Sequence, residues 1–196
     1  MRKPKESQLD LIMRRFILVA VLLLTSPLII VERAKGQRKQ HVKTINAKPV
    51  AKILIPALQK IKQAANTPIL LPSRLPRSVK VNDIRVVDGE VRPDGYAITL
   101  FFKERCGDAC NAGYFEAKRG GEVFKDEADK IVRLAKGLKG YYTARSCGGS
   151  CTPPQIEWLY KGTLYTIQFN VDNNSKRRDE IEIVALANSA IQGGER

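Results

Sequence analysis

The run GYYTARSCGGSCTPPQIEWLYKGTLYTIQFNV, residues 140–171, decides how this chain folds. Ile156, Trp158 and Tyr160 recur at every second position and share one strand face, as do Tyr165, Ile167, Phe169 and Val171. Alternation with a period of two is the mark of a strand with one buried face. Lys161-Gly162 separates the two runs and reads as a two-residue hairpin turn. Residues 140–145 form a strand that runs into Cys147-Gly148-Gly149-Ser150-Cys151. Downstream, residues 172–178 are polar, and Asp179 followed by Glu182 resembles a capping box. Ile183, Val184, Ala187 and Ile191 then share one helical face, and Gly193-Gly194 ends the helix.

Upstream, the same alternation recurs. Residues 84–88 read as a short strand ended by an Asp88-Gly89 turn. Tyr96, Ile98, Leu100 and Phe102 occupy one face of the next strand. Residues 113–118 return, and Gly120-Gly121 breaks the run. In residues 122–136 a helical stripe (Phe124, Ala128, Ile131, Val132, Ala135) competes with a strand at 131–134, and we assign the second half to strand. Residues 51–66 place Ile53, Ala57, Ile61 and Ala64 at helical spacing, with Pro56 in the first turn or marking the true start. TPILLPSRLP, residues 67–76, carries three prolines and forbids a regular helix, so it reads as an extended connector. The expected fold class is α+β: a mainly antiparallel sheet of about six or seven strands with disulfide-tipped hairpins, and a C-terminal helix (181–191) packed on one face. Trp158, Tyr165, Ile167 and Phe169 are expected in the core, with Ile98, Leu100 and Phe102 beneath the same helix.

The charge of +14 is unevenly placed. Residues 1–52 hold twelve Lys/Arg against three Asp/Glu, which leaves the remainder at only +5. Residues 16–31 are sixteen uncharged residues (FILVAVLLLTSPLIIV) behind Arg14-Arg15. As a helix they span roughly 24 Å, short of a hydrocarbon core of roughly 30 Å, and Pro27 interrupts them. A basic flank before a short apolar run is the pattern of an export signal. Ala34-Lys35-Gly36 offers small residues for cleavage after Gly36, among charges that disfavour it. We therefore divide the chain into residues 1–36, a signal peptide or N-terminal membrane anchor; 37–50, a basic linker; and 51–196, a single extracytoplasmic domain. Uncleaved, residues 16–31 would touch the membrane. The expected location is periplasmic or secreted, with anchoring to the cytoplasmic membrane as the uncleaved variant.

The four cysteines form two matching units, Cys106–x₃–Cys110 and Cys147–x₃–Cys151. Two such pairs can hold zinc through four thiolates, although zinc ribbons more often use C-x₂-C. In an exported chain thiols oxidise, so disulfides are expected at Cys106, Cys110, Cys147 and Cys151. A hairpin with three loop residues sets its flanking positions opposite each other, which favours local pairing, Cys106 with Cys110 and Cys147 with Cys151. Bridges between the two units are the alternative and would clamp the hairpins together.

At these residues the chain resembles a group of exported, mostly cyanobacterial proteins of uncharacterised activity. The pattern runs through TPILLPSRLP, GYAITLFF, a cysteine tip followed by AGYFEA, the 140–169 stretch and a helix ending LANSAI, and covers residues 53–192. From Trp158 onward it is also similar to extracytoplasmic domains of membrane-tethered regulatory and lipoprotein-like bacterial proteins. The resemblance implies a fold and a location. It carries over no catalytic residue.

Function classes narrow accordingly. His41 is the sole histidine and sits in the linker, so residues 53–196 lack the Ser–His and Cys–His nucleophile arrangements. Asp108, Glu116, Glu157 and Asp172 are the carboxylates from which an acid–base pair would have to come, and no spacing singles them out. No Gly-rich phosphate loop sits between a strand and a helix. Aromatics beside lysines (Phe101, Tyr114, Tyr142, Tyr160) mimic a nucleic-acid platform, but the domain's modest charge and its export argue against that partner. The reading is an extracytoplasmic binding or structural module with a protein or cell-envelope partner. It has no cofactor, no metal and no catalytic residue. A cysteine-based metal or redox protein and a carboxylate enzyme are the alternatives.

Overall fold

The computed structural model describes residues 48–104, 110–148, 150–171 and 175–196. The chain divides into two units, Met1–Lys43 and Thr44–Arg196, and the described residues all belong to the second. In order they form α1 (Ile55–Lys62), β1 (Val86–Arg92), β2 (Gly95–Phe101), β3 (Asn111–Arg119), β4 (Lys130–Arg133) and β5 (Lys139–Thr143). There follow β6 (Ser146–Cys147), β7 (Cys151–Thr152), β8 (Gln155–Tyr160), β9 (Thr163–Phe169) and α2 (Lys176–Gly193). The main sheet has seven strands in the order β1-β2-β3-β9-β8-β5-β4, every pair antiparallel; β6 and β7 pair apart from it. The fold is thus α+β, a mainly antiparallel sheet with a C-terminal helix.

Register explains the alternation. Ile98, Phe115, Ile167, Ile156 and Tyr142 form one row across five strands, and Tyr96, Ala117, Tyr165 and Trp158 form the next. All nine are buried, with Trp158 stacked on Tyr165 at 5.4 Å between ring centroids. The opposite face carries Thr99, Tyr114, Glu116, Thr166, Gln168, Gln155 and Glu157 in matching rows. Trp158, Tyr165, Ile167 and Phe169 therefore lie in the core as expected. Phe102 does not complete its row: the register shifts between Leu100 and Phe101, and Phe102 is only half-buried. The β8–β9 turn has positive φ at both Lys161 (50°) and Gly162 (71°), the backbone of a tight hairpin whose twist matches its strands.

Helix α2 packs on β8 and β9, while α1 packs on β1. Two expectations need correction here. Gly89 is no turn residue: it sits inside β1, where an added Cβ would lie 3.1 Å from the Ala57 Cβ of α1. Glycine is there because the helix approaches the strand closely, and the turn comes later, at Pro93-Asp94. Nor does Asp179 cap the last helix. The N-cap is Ser175, and Asp179 lies inside the helix, fully buried, with its carboxylate on Arg145 at 2.9 Å. Among the described residues no helix is long and apolar enough to cross a membrane; residues 16–31 lie outside them.

The connector is extended and buried: Ile69, Leu70 and Leu71 are at most 4% exposed. Buried backbone of this kind needs partners, and it finds them among side chains and distant backbone groups. The Tyr96 hydroxyl accepts from Leu70 N at 3.1 Å, and the Tyr165 hydroxyl donates to Pro68 O at 2.6 Å. Ser189 of α2 accepts from Ser73 N at 3.0 Å, and Arg196 N donates to Ile69 O at 3.2 Å. Replacing Tyr96→Phe keeps the ring in place but leaves the Leu70 amide buried without its acceptor. Urea denaturation should show a loss of roughly 1–3 kcal/mol, and a loss below a few tenths would refute the role given to this hydroxyl.

Candidate binding site at the cysteine end of the sheet

Antiparallel pairing brings the end of β2, the start of β3, the end of β9 and the start of β8 to one end of the sheet. There Phe102 N donates to Cys110 O and Asn170 N to Ala112 O, each at 2.9 Å. The β6–β7 hairpin stands beside them. Cys147 and Cys151 face each other in its register, 4.1 Å apart at Cα, and are joined by a disulfide. Pro153 and Pro154 follow, and having no N–H they end the little ladder while their carbonyls accept from Gln168 and Phe169. Cys110 is also disulfide-bonded; Cys106, and with it the expected bridge of the first unit, lies outside the described residues. In the bridged state Cys147 and Cys151 offer no thiolate to a metal.

The second cysteine unit and the residue that follows Cys110 border the same space. A cavity of 560 Å³ is lined by Asn111, next to Cys110, by Ser150 and Cys151 of the hairpin, and by Pro153, Gln168 and Asn170. Asn111 Oδ1 is buried without a hydrogen-bond partner. Behind the cavity a polar network covers the open face of the sheet. The Tyr114 hydroxyl donates to Gln155 Oε1 at 3.2 Å, Gln155 Nε2 to Glu157 Oε1 at 3.0 Å and Thr166 Oγ1 to the same oxygen at 3.4 Å. Glu116 lies across Thr166 from Glu157, paired with Arg92. The segment joining β3 to β4 crosses this face, and its Glu127 carbonyl accepts from Thr143 Oγ1 at 3.4 Å.

Electrostatics follow from burial. Removal from water pushes the Tyr114 phenol up to about 12, with the Glu116 and Glu157 charges adding to it, so it stays a hydrogen-bond donor at neutral pH. Glu157 is also held above the ordinary carboxylate range, first by burial; the Thr166 hydrogen bond opposes this, while the Glu127 and Glu116 charges reinforce it. Of the four carboxylates singled out in the sequence, the sheet brings Glu116 and Glu157 onto one face. Asp108 and Asp172 lie outside the described residues. Among the described residues, no group of three or more His, Cys, Asp or Glu side chains stands close enough to hold a metal ion.

The residues that shape the cavity, Asn111, Gln168 and Asn170, have no motif, and their convergence comes only from pairing strands far apart in the chain. A second cavity, of 340 Å³, lies between the connector and α2 along Arg74, Leu75, Arg77, Ile181 and Leu186. Its Glu182 is already engaged by Ser78. Comparison with family models, curated proteins and solved structures gives no match.

Two outcomes follow. Replacing Cys147 and Cys151 by serine removes a short loop closure and should cost about 2 kcal/mol in chemical denaturation, with the sheet's circular dichroism unchanged. Glu157→Gln keeps an oxygen for Gln155 and Thr166 but removes a charge that folding disfavours. Because the folded pKa is raised, the native state holds the proton more tightly, and wild-type stability falls as pH rises through and above the ordinary carboxylate range. The variant should therefore be more stable than wild type at pH 7, and the gap should close on acidification. A variant less stable than wild type at pH 7 would refute this account of Glu157.

Proposed function

We propose that the chain is an extracytoplasmic binding module, exported by residues 1–36, which act as signal peptide or anchor, and joined to them by the basic linker 37–50. Its recognition surface is the cysteine end of the sheet. One observation carries this reading: the residue after Cys110 and the second cysteine unit border one polar cavity. A bridged hairpin beside a cavity supplies what recognition needs, groups held in place before the partner arrives. The cysteines support export, since bridged pairs persist in oxidising compartments.

A photo-crosslinking residue at Ser150, in cells, should capture a specific envelope component, whereas the same residue at Asp94, at the opposite end of the sheet, should not. Equal capture at both positions, or none at Ser150, rejects the binding role. A reporter active only outside the cytoplasm, fused after Lys52, should be active; activity of a cytoplasmic reporter in its place rejects export.

A further inference from the structure

We propose that the cleft between the connector and α2 binds an amphiphile with one apolar chain and an anionic head, a fatty-acid-like ligand, at a site separate from the cysteine end. The cleft encloses 340 Å³ and is built from two short stretches, residues 74–77 and 181–186. The chain around it is described without a break from 70 to 80 and from 175 to 190. Its floor is apolar: Leu75, Pro76 and Leu186 are buried, Ala185 is half-buried, and Ile181 stands 60% exposed at the edge. A single exposed isoleucine is ordinary, but one that borders a concave apolar floor gives a hydrocarbon chain a place to leave water. The volume lies at the small end of the range of about 300–1,000 Å³ usual for ligand pockets. That suits one chain and not the row of anchor side chains of a bound helix.

The charges around that floor select the head group. Arg74 and Arg77 line the cleft and are exposed, and among the described residues neither makes an ion pair. Arg177, four residues before Ile181, falls on the same face of α2. The acids of this part of the helix are engaged instead. Asp179 pairs with Arg145 and Glu180 with Lys130, while Glu182, which lines the cleft, accepts from the amide and the hydroxyl of Ser78. Two guanidinium groups therefore border the floor against one carboxylate that already has its hydrogen bonds. A guanidinium presents paired N–H donors that match a carboxylate or a phosphate. An anionic head is drawn to the rim while its chain lies on the floor, whereas a cationic head is repelled and an uncharged one gains only the burial. A bilayer surface would be met by protruding apolar side chains, but here the apolar atoms line a hollow, which a free single chain fills.

The test is photolabelling of the full-length oxidised protein with dodecanoate carrying a diazirine in its chain, kept below its micelle-forming concentration, followed by peptide mapping. Mapping separates the cleft from the apolar run 16–31, which any amphiphile could touch. Label should fall within 74–77 or 181–186. Unlabelled dodecanoate and dodecyl phosphate should compete about tenfold better than dodecyltrimethylammonium or dodecyl maltoside. Arg74→Gln combined with Arg77→Gln should cut cleft labelling by about tenfold, and Ala185→Met, which fills the cleft, by as much. None of the three positions is fully buried, so the denaturation midpoint of each variant should stay near that of wild type. Lys118→Gln, which removes an exposed cation outside the cleft, should leave labelling unchanged. Label confined to 16–31, cleft label that survives both variants, or equal competition by cationic and anionic amphiphiles overturns the inference. So does arginine-dependent capture by phosphatidylglycerol vesicles without cleft labelling by free dodecanoate, which would make this face a membrane contact. The binding role at the cysteine end is tested apart from this, by capture at Ser150.

Discussion

The structure depends on how a buried, extended, proline-rich connector satisfies its backbone. Residues 67–76 run over the apolar face of the sheet, where three prolines deny them a helix and no neighbouring strand offers a ladder. Two tyrosines solve this from below: Tyr96 and Tyr165 reach through the core to Leu70 and Pro68. Their hydroxyls are deeply desolvated, and burial drives both phenols above their ordinary range, so they remain protonated donors or acceptors throughout the accessible pH range. Ser189 and the backbone of Arg196 complete the set from α2 and the C-terminus. Connector, sheet and last helix are therefore ordered together, and the apolar layer closes only when all three are in place.

This explains which parts of the fold were legible in the sequence. Period-two alternation fixed the faces of β2, β8 and β9, because a strand with one buried face repeats every two residues whatever its partners. The two-residue turn at Lys161-Gly162 was legible for a similar reason, being a local device. Gly89 was misread because a glycine that makes room for Ala57 and a glycine that turns the chain look alike until the helix is placed. Asp179 was misread likewise: a carboxylate at the start of a helix usually caps it, and nothing nearby in sequence announces Arg145 as its partner. The cavity was illegible for a stronger reason. Asn111, Ser150 and Gln168 meet through pairing of β3 with β9 and through a hairpin outside the main sheet, so no window of sequence contains them.

The position of the disulfide answers to the same division between core and rim. β6 and β7 contribute two residues each, all exposed, and a ribbon so short buries too little to hold itself. A core residue in this sheet is fixed by its neighbours and needs no bridge. The Cys147–Cys151 hairpin has no such neighbours, and the covalent link does what packing does elsewhere.

The other support of that hairpin is the ion pair between Arg145 and Asp179. Asp179 is fully buried at the start of α2, and the Arg145 side chain is 27% exposed just before β6. A carboxylate in that position cannot be left alone, since an unpaired buried charge is strongly unfavourable, so α2 and the approach to the hairpin are held in one arrangement. Asp179 also raises the neighbouring Tyr142 phenol, after burial, to about 12, which keeps a second charge out of the same space. The pair adds little net stability compared with apolar residues of the same size, and its consequence is positional. It ties the helix that closes the core to the segment that leads into the bridged hairpin.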